Sequence, residues 1–355
     1  MYYKIKFELE TMMRVETIGE VLLLTALGSI AGAARAQGSV TLSGVLDGGI
    51  RYTDSSAGTT YSTNNRGWYS SNRVVFIGSE QLGAGWFTFF RLETGFYLAS
   101  GALDNTTSQL FNRASYIGVG GPYGKVVIGR QFTIAHDVTY DYDPFNLLYP
   151  TLIPVSGASA GFRLSNDVKY VGSVGGLTLS ADNSFGGVAG QFNDASARSV
   201  GLQYKWNWLK VGGAYAYRSL QVGTAKTYQP DNYYTLGAEL TFGPVRFAGG
   251  YMNDNQVQTQ PTADIRTLNY WGGATYDLSP SVRLGAAYYI TDLPNQSGKR
   301  SIGIGSITYA LSKTTLLYAE VDYTKYGGSY VTNASLNTQK IPHQIGAAVG
   351  INHSF

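Results

Sequence analysis

The chain contains little that a soluble enzyme would use. Only 14% of its 355 residues are charged, whereas an average soluble domain is about 25% charged. Cysteine is absent, so the chain has no disulfide framework and no thiolate nucleophile or metal ligand. Beyond the first 36 residues, no stretch approaches the roughly 18 uncharged apolar residues of a membrane-spanning helix. These absences disfavour a soluble enzyme and exclude a helical membrane protein.

Small and aromatic residues are plentiful instead. The chain has 45 glycines and 28 tyrosines, and aromatic residues make up 14% of it. A chain so rich in aromatic residues is atypical of disordered proteins. The formal net charge of +3 is too small to favour nucleic acid as a partner. Low charge, many tyrosines and the lack of a helical apolar run together predict β-structure embedded in a membrane.

The beginning of the chain has the pattern of an export signal. The apolar run from Val21 to Ala34 ends in Ala34-Arg35-Ala36, which is the A-x-A pattern of a signal-peptide cleavage site. Residues 1–36 are therefore predicted to be a signal peptide that is cleaved before Gln37, and residues 37–355 to be the mature domain. Four glutamates precede the apolar run, where basic residues are expected, so Met12 or Met13 is an alternative start.

Apolar and polar residues alternate with a period of two through most of the mature chain. In the segment 313–326, Leu317 and Val321 fall on one face, and Glu320 and Asp322 fall on the other. This period indicates strands, because successive side chains of a strand point to opposite faces. The same test predicts sixteen strands, at 39–53, 67–79, 84–98, 112–121, 124–131, 162–172, 176–184, 199–206, 208–219, 231–243, 245–254, 265–278, 281–291, 300–311, 313–325 and 341–355.

Short and long connections alternate between these strands. The long ones are polar and rich in glycine, serine, threonine and asparagine, at 54–66, 99–111, 132–161, 185–198, 220–230, 255–264, 292–299 and 326–340. An up-and-down barrel has this arrangement, with tight turns at one end and loose loops at the other. The fold class is therefore all-β, a 16-stranded antiparallel transmembrane β-barrel. Side chains cannot fill so wide a barrel, so its interior is expected to be an aqueous channel.

Several segments resemble the Gram-negative general diffusion porins. Ser71 to Gly83 is similar to their second strand and turn, and Phe111 to Val119 with Gly121 to Gln131 is similar to their fourth and fifth strands. Val349 to Phe355 resembles their closing strand with its terminal Phe. The resemblance covers the mature chain and is closest to the porins of β-proteobacteria. It implies a homotrimer in the outer membrane and its lipid, through which small hydrophilic solutes and ions pass passively.

The resemblance also implies that each barrel is narrowed by an infolded third loop. The third long loop of this chain, 132–161, is the longest, and a loop of this length in a compact fold is usually functional. It carries Asp137, Asp141 and Asp143, followed by an apolar stretch that the lumen would cover. The loop departs from the acidic Pro-Glu-Phe-Gly turn of the enteric members, which leaves its exact path open.

The family places a ladder of arginines opposite this loop, and three residues match it: Arg73, Arg113 and Arg130. Alternate positions along a strand point to the same face, and this alternation places Arg51 and Arg91 on the inner face as well. Glu93 and Asp47 lie on the same faces. Opposed arginines and aspartates would produce a transverse field at the narrowest part of the pore. We therefore expect these arginines, Glu93 and the three loop aspartates to form the constriction. The alternative is that the arginines form ion pairs within the wall or line a wide vestibule.

Alternation is less clear in the first five strands. Six apolar residues share the parity of the arginines, namely Val75, Ile77, Ile117, Val119, Val126 and Ile128. If they point inward, both faces of these strands must be covered. Two locations would cover both faces, a subunit interface and the space beneath the infolded loop.

Two classes of function remain. Neither a cofactor nor a metal is expected, and none of the three histidines has the Ser–His–Asp surroundings of a hydrolase, so we expect no enzyme. The first class is a passive, weakly selective porin with a mild anion preference, which the loop aspartates would oppose. The alternative is a binding device, either a substrate-specific channel or a barrel whose loops act as adhesin or receptor. A specific sugar channel would need an aromatic track through the lumen, whereas most tyrosines fall outward or near strand ends.

Overall fold

The computed structural model describes residues 38–63, 66–154, 162–223 and 227–355. The predicted signal peptide, its cleavage site before Gln37 and the alternative starts lie outside these residues. Seventeen strands, two short α-helices and a 3₁₀ turn at Pro294–Gln296 make up the regular structure of the described residues. The helices are α1 (Ile134–Tyr142) and α2 (Ser329–Thr332). The strands are β1 (Ser39–Ser55), β2 (Gly58–Thr63), β3 (Arg73–Gly83), β4 (Trp86–Gly95), β5 (Ala114–Gly121), β6 (Gly124–Phe132), β7 (Arg163–Val174), β8 (Leu177–Ser184), β9 (Ala197–Trp206), β10 (Leu209–Val222), β11 (Thr227–Phe242), β12 (Val245–Gln256), β13 (Ile265–Ser279), β14 (Val282–Leu293), β15 (Gly298–Ala310), β16 (Thr315–Gly328) and β17 (His343–Ser354).

Sixteen of these strands form a closed antiparallel barrel. From β3 onward each strand pairs with the next, and β17 closes the ring by pairing with β1 over Val45–Ser55. The remaining strand, β2, pairs with the second half of β1 and belongs to the first long loop. The 16-stranded antiparallel barrel predicted from alternation is therefore confirmed. β2 escaped the strand count because it is a short arm within a loop and is exposed along its length.

The two faces of the wall differ as the sequence predicts. On β16, Leu317 and Val321 are exposed on the outer face, whereas Glu320 and Asp322 are buried on the inner face. Because a barrel in a membrane presents its outer face to lipid or to another subunit, exposed apolar residues are stable there. The alternation read from the sequence therefore identifies the inside of the barrel.

The first strands differ from the expectation at four positions. Ile117 lies opposite Ile128 and Val119 lies opposite Val126 in the β5–β6 register, and all four side chains are exposed on the outer face. Strict alternation would place these four residues on the same face as the arginines, but the backbone is irregular between them and the arginines. β5 begins only after Arg113, and a register shift lies between Gly129 and Gln131 of β6. Such an irregularity re-aims the side chains that follow it.

The remaining two residues agree with the inward parity. Val75 is buried and lies directly opposite Glu93, and Ile77 lies opposite Arg91. Directly opposed residues of an antiparallel pair share one face of the sheet. Val75 and Ile77 therefore share the inner face with these charged residues.

The apolar core of the molecule lies inside the barrel, around the third long loop. Ile134, Val138 and Tyr142 of α1 are buried against β9, β10, β11 and β12. Farther along the loop, Phe145, Tyr149, Leu152 and Ile153 join the same cluster, together with wall residues such as Tyr233, Met252, Trp271 and Tyr289. The third loop is thus folded into the lumen, as expected. No helix in the described part of the chain is long and apolar enough to cross a membrane.

Candidate pore constriction

The third loop begins with helix α1, which packs against the inner face of the wall where glycines leave room for it. Thr133 caps the helix by accepting a hydrogen bond from the His136 amide at 3.1 Å. Beneath the helix end, Gly237 offers no side chain, and a Cβ there would lie 2.6 Å from the ring of Tyr142. A Cβ on Gly201 would similarly lie 2.4 Å from Ile134. These glycines let the loop approach the wall closely.

The turn after α1 is tied to the wall by backbone contacts. Arg246 of β12 donates hydrogen bonds to the carbonyl oxygens of Asp141, Asp143 and Pro144, at distances between 2.8 and 3.1 Å. The indole of Trp271 donates to the Tyr142 carbonyl at 2.9 Å. The carbonyls that a helix end leaves unpaired are thereby satisfied.

Asp143 is buried within this turn rather than open to the lumen. Its carboxylate accepts hydrogen bonds from the amides of Phe145 and Leu147 and, at 2.7 Å, from the Tyr289 hydroxyl. Burial raises the pKa of Asp143 to about 6, although these hydrogen bonds and Arg246 act in the opposite direction. Asp143 therefore shapes the loop turn and does not face the predicted ladder of Arg73, Arg113 and Arg130.

The other two loop aspartates also contact the wall away from the predicted ladder. Asp137 forms an ion pair with Lys169 of β7 at 3.0 Å, and Asp141 accepts a hydrogen bond from Gln203 of β9 at 2.9 Å. Desolvation alone would raise the pKa of Asp137, but Lys169 and the neighbouring histidine hold that pKa below its usual value. Among the described residues, no ion pair joins a loop aspartate to Arg73, Arg113 or Arg130.

His136 has a structural position at the start of the loop. Its ring stacks on Phe132 at 3.8 Å and meets Phe162 edge-on at 4.7 Å. Burial lowers the pKa of His136, and the positive charges of Arg163 and Lys169 add to this effect against the opposing influence of Asp137. A neutral, stacked imidazole fixes the helix start between two aromatic rings.

The arginines gather instead around Glu93 of β4. Arg113 donates to this carboxylate at 2.6 Å, Arg91 donates twice, at 2.8 and 2.5 Å, and Arg73 lies 3.9 Å away. Glu93 is almost fully buried, whereas the three guanidinium groups are partly exposed. The second nearby carboxylate is Asp104 of the second long loop, 3.7 Å from Arg113.

Two further arginines continue this cluster toward the third loop. Arg130 donates to the Asn112 carbonyl and to the Ser165 hydroxyl, both at 2.7 Å. Arg163 donates to the Arg113 carbonyl at 2.7 Å, and its guanidinium lies 4.4 Å from the ring centres of Phe132 and Phe162. We call Arg73, Arg91, Arg113, Arg130 and Arg163 the arginine cluster.

A cavity of about 620 Å³ separates part of this cluster from the loop. Arg113, Arg130 and Arg163 line one side of it, and Pro150 and Thr151 of the third loop line another. Arg73, Arg91 and Arg113 contact Glu93 or Asp104, whereas Arg130 and Arg163 donate to carbonyl and hydroxyl oxygens. Five guanidinium groups against these two carboxylates leave an excess of three positive charges. Arg163 was not among the residues expected at the constriction, because its depth in the lumen depends on the folded loop. No sequence signal pointed to Asp104.

Arg51 was also expected at the constriction, and the structure pairs it with carboxylates of the wall. Its guanidinium is buried, forms ion pairs with Glu320 and with Asp322 (2.5 Å) of β16, and lies 5.1 Å from the ring of Trp68. Two carboxylates neutralise it, so it contributes no excess positive charge to the lumen. For this residue the alternative, an ion pair within the wall, describes the structure. Arg51 and Glu320 lie far apart in the sequence, and closure of the barrel brings them together.

Comparisons with known proteins agree with the fold and the motifs. The family model described as Gram-negative porin matches residues 23–329. Outer membrane porin protein 32 of Delftia acidovorans is 26% identical over 94% of this chain and 99% of its own length. An anion-selective porin from Comamonas acidovorans superposes with a TM-score of 0.77 at 22% identity, over 90% of this chain and all of that one. OmpT of Vibrio cholerae, solved in a trimer form, gives a TM-score of 0.66 at 17% identity, over 90% of this chain and 99% of that one. The chain therefore belongs to the Gram-negative porin family, the outer-membrane channels through which small solutes diffuse.

Proposed function

We propose that this porin is a weakly selective diffusion channel that prefers anions, with its narrowest part between the arginine cluster and the third loop. The observation that carries the proposal is the excess of three positive charges in that cluster, whose ion pairs among the described residues are with Glu93 and Asp104. A ring or wall of one charge sign favours counter-ions at a pore constriction. The solutes are small hydrophilic ions and molecules, and the protein needs neither a cofactor nor an enzymatic site.

The contacts of the loop aspartates support the anion preference. Asp137 is paired with Lys169, Asp141 lies between Gln203 and Lys210, and Asp143 is buried. An ion pair largely cancels the field that its carboxylate would otherwise project into the lumen. The acidic side of the expected transverse field is thus weaker than the sequence suggested. The similar porin from Comamonas acidovorans is described as anion-selective, which is in line with this reading.

We also propose that the functional unit is a homotrimer, formed through the outer face of the early strands. The exposed tyrosines on the described wall strands lie on β7, β9–β11 and β13–β16. Tyrosine is typical of barrel surfaces at the lipid interface. The outer faces of β5 and β6 carry Ile117, Val119, Val126 and Ile128 instead. A surface of branched apolar residues without tyrosine suits contact with another subunit, and the V. cholerae relative was solved as a trimer.

The processing of the chain completes the proposal. A mature protein that starts at Gln37 follows from the Ala34-Arg35-Ala36 motif. Intact-mass measurement of the protein isolated from outer membranes tests this directly. A first residue other than Gln37 would move the domain boundary without affecting the barrel.

The decisive experiment is the reversal potential of the refolded protein in a planar bilayer under a KCl gradient. We expect chloride preference in the native protein and a clear loss of it in Arg113→Ala. The matched control is Arg198→Ala, which removes the same charge from an exposed arginine beside Asn193 and Phe192, outside the cluster. Conductance that closes in three steps supports the trimer.

Two results would overturn the proposal. Equal reversal potentials in Arg113→Ala and Arg198→Ala would show that the arginine cluster does not set selectivity. The folded barrel is recognised by an electrophoretic mobility that changes on heating. If protein that passes this test shows no conductance, the open channel itself is rejected. In that second case the adhesin or receptor alternative becomes the leading one.

A further inference from the structure

The segment between β2 and β3 runs inside the barrel and meets the third loop there. Residues 66–72, which we call the returning arm, lead from the first long loop to the start of β3. The arm contacts residues of the inner wall face. Trp68 covers the guanidinium of Arg51, and the ring of Tyr69 stacks on that of Tyr318 at 5.3 Å. A loop segment that enters the lumen needs partners for its backbone groups, since buried polar groups are rarely left unpaired.

Asp47 of β1 supplies those partners. Its carboxylate accepts hydrogen bonds from three successive amides of the arm, those of Trp68 at 2.8 Å, Tyr69 at 3.4 Å and Ser70 at 3.3 Å. In return, the Asp47 amide donates to the side-chain oxygen of Asn72 at 2.6 Å. The arm is thus wrapped around one carboxylate.

The wall fixes this carboxylate from the other side. The Tyr318 hydroxyl donates to it at 2.9 Å, and the side-chain Nδ2 of Asn352 donates at 3.0 Å. Asp47 is fully buried, and its five donors come from neutral groups. A buried carboxylate with this many donors is strongly held, because hydrogen bonds to a charged group are about twice as strong as neutral ones.

Gly67 allows the arm to turn this closely. Its φ of +95° is in the region that side chains rarely adopt, and a Cβ there would lie 2.0 Å from the Ser70 carbonyl oxygen and 2.8 Å from the Asp47 Cβ. Only glycine fits so close to the Ser70 carbonyl and the Asp47 side chain at this φ. The sequence of the arm is therefore adapted to enclose Asp47.

The arm in turn holds the third loop. The Tyr149 amide donates to the Tyr69 carbonyl at 2.8 Å, and the two rings meet edge-on at 5.3 Å. Tyr149 is almost fully buried, and Leu152, three residues later, accepts a hydrogen bond from Arg300. These contacts fix the part of the loop that continues into Pro150 and Thr151 at the cavity.

We propose that Asp47 is a positioning residue of the pore: it holds the returning arm against the wall so that the arm fixes the third loop at Tyr149. The inference rests on the proposed function, because it treats the third loop as one boundary of the pore. Asp47 is buried on β1, and it contacts the arm and the wall rather than the arginine cluster. Its loss therefore loosens the loop without changing the charge that ions meet.

The test compares Asp47→Asn with Asp231→Asn in single-channel recordings. Asp231 is the matched control, since it is also a fully buried aspartate of the wall, on β11, but it is paired with Arg218. We expect spontaneous closures to become about fivefold more frequent in Asp47→Asn, the factor expected for the loss of about one net hydrogen bond. The reversal potential should stay at the native value in both variants.

A second measurement reports the loop directly and does not need conductance. The chain has no cysteine, so a single spin label on Thr151→Cys reports the mobility of the loop beside the cavity. Label mobility should increase in the Asp47→Asn background and stay unchanged in the Asp231→Asn background. Tyr69→Ala removes the ring contacts of the arm with Tyr149 and Tyr318 but keeps Asp47 and its hydrogen bonds. It should reproduce the increase even if Asp47→Asn does not refold.

The outcomes separate the two proposals. Native conductance together with unchanged closures and unchanged label mobility in Asp47→Asn and Tyr69→Ala would overturn the role of Asp47 and leave the channel intact. If the folded native protein does not conduct, the proposed function fails, but label mobility still decides whether Asp47 positions the loop. A shift in reversal potential in Asp47→Asn equal to that of Arg113→Ala would also contradict the inference, because it would make Asp47 a selectivity residue.

Discussion

Glu93 is the carboxylate around which the arginine cluster is built. It accepts hydrogen bonds from Arg91 and Arg113 and lies near Arg73, and almost none of it is exposed. Without it, three guanidinium groups would repel one another across the inner faces of β3, β4 and the start of β5. The same residue therefore contributes to the stability of the wall and reduces the positive charge of the lumen.

Replacing Glu93 by Gln should affect these two properties in opposite directions. Chloride preference, measured as the reversal potential, should increase because one of the two carboxylates near the cluster loses its charge. The barrel should unfold more readily, since removing one partner of a buried ion pair costs about 3–5 kcal/mol. Asp277→Asn is the control, because its pair with Arg283 is exposed and such pairs contribute about 0–1 kcal/mol. Equal unfolding temperatures for the two variants would contradict the role of Glu93.

Asp143 should make the attachment of the third loop depend on pH. Burial raises the pKa of this carboxyl to about 6 in the folded protein, above its value in an unfolded chain. The folded loop therefore binds the proton more tightly, so the stabilisation is complete below the unfolded pKa of about 4 and is lost as the pH rises through 6. Tyr289 and Arg246 are the titratable or charged groups that face this carboxyl.

Spin-label mobility at Thr151→Cys checks this expectation. Mobility should increase between pH 4.5 and pH 7.5 in the native background, about the range that the two pKa values bracket. In Asp143→Asn the side chain cannot ionise, so the mobility should be the same at both pH values. A pH dependence that persists in Asp143→Asn would assign the effect to another group, such as His136, whose pKa burial lowers.

Helix α1 and the wall beneath it form a single packed unit. One face of the helix is buried against β9–β12, and glycines in the wall make room for Tyr142 and Ile134 of the helix. Because the interior of a protein tolerates little added volume, the position of the helix depends on these missing side chains. The inner wall face is therefore specific for this loop as well as for the barrel.

Gly237→Ala should displace the helix. The added Cβ would lie 2.6 Å from Tyr142, and overpacking of this kind costs about 1–3 kcal/mol. Gly272→Ala is the matched control, since nothing lies within 4 Å of a Cβ at that strand position. Loop mobility should increase, and the unfolding temperature of the barrel should fall, only in Gly237→Ala. Native loop mobility in Gly237→Ala would mean that the wall relaxes to accommodate the methyl group.

The assembly of the whole molecule should depend on which part of the outer surface is changed. Ile117 of β5 and Leu236 of β11 are both exposed apolar residues, with relative exposures of 58% and 60%. Ile117→Lys should yield monomers in native mass spectrometry, because it places a charge in the proposed subunit interface. Leu236→Lys should remain trimeric and lose at most about 2–4 kcal/mol of stability, the usual cost of a lysine facing lipid. Monomers from Leu236→Lys alone would place the interface on the other side.

The barrel and the inside–outside assignment were readable from the sequence. Alternation is a property of neighbouring residues, so strands such as β16 show their faces without reference to the rest of the chain. The infolded third loop came from the resemblance to a known family, and the structure agrees with it. The expectation that Arg73, Arg91, Arg113 and Glu93 face the lumen came from alternation and from the family motif, and their role as a constriction stays a prediction.

The tertiary structure alone decided how the charges pair and where the loop is held. Arg51 meets its carboxylates only because the last strands close against the first. Arg130 faces inward because of a backbone irregularity beside Gly129 that simple alternation cannot show. The loop aspartates were expected to face the arginines, yet their partners are set by how far the loop travels along the wall. The sequence by itself thus determined the sixteen barrel strands, the family and, outside β5 and β6, the faces of the strands, because these depend on local period and motif. Ion pairing, the path of the third loop and the place of Asp47 depend on distant residues brought together by closure of the barrel.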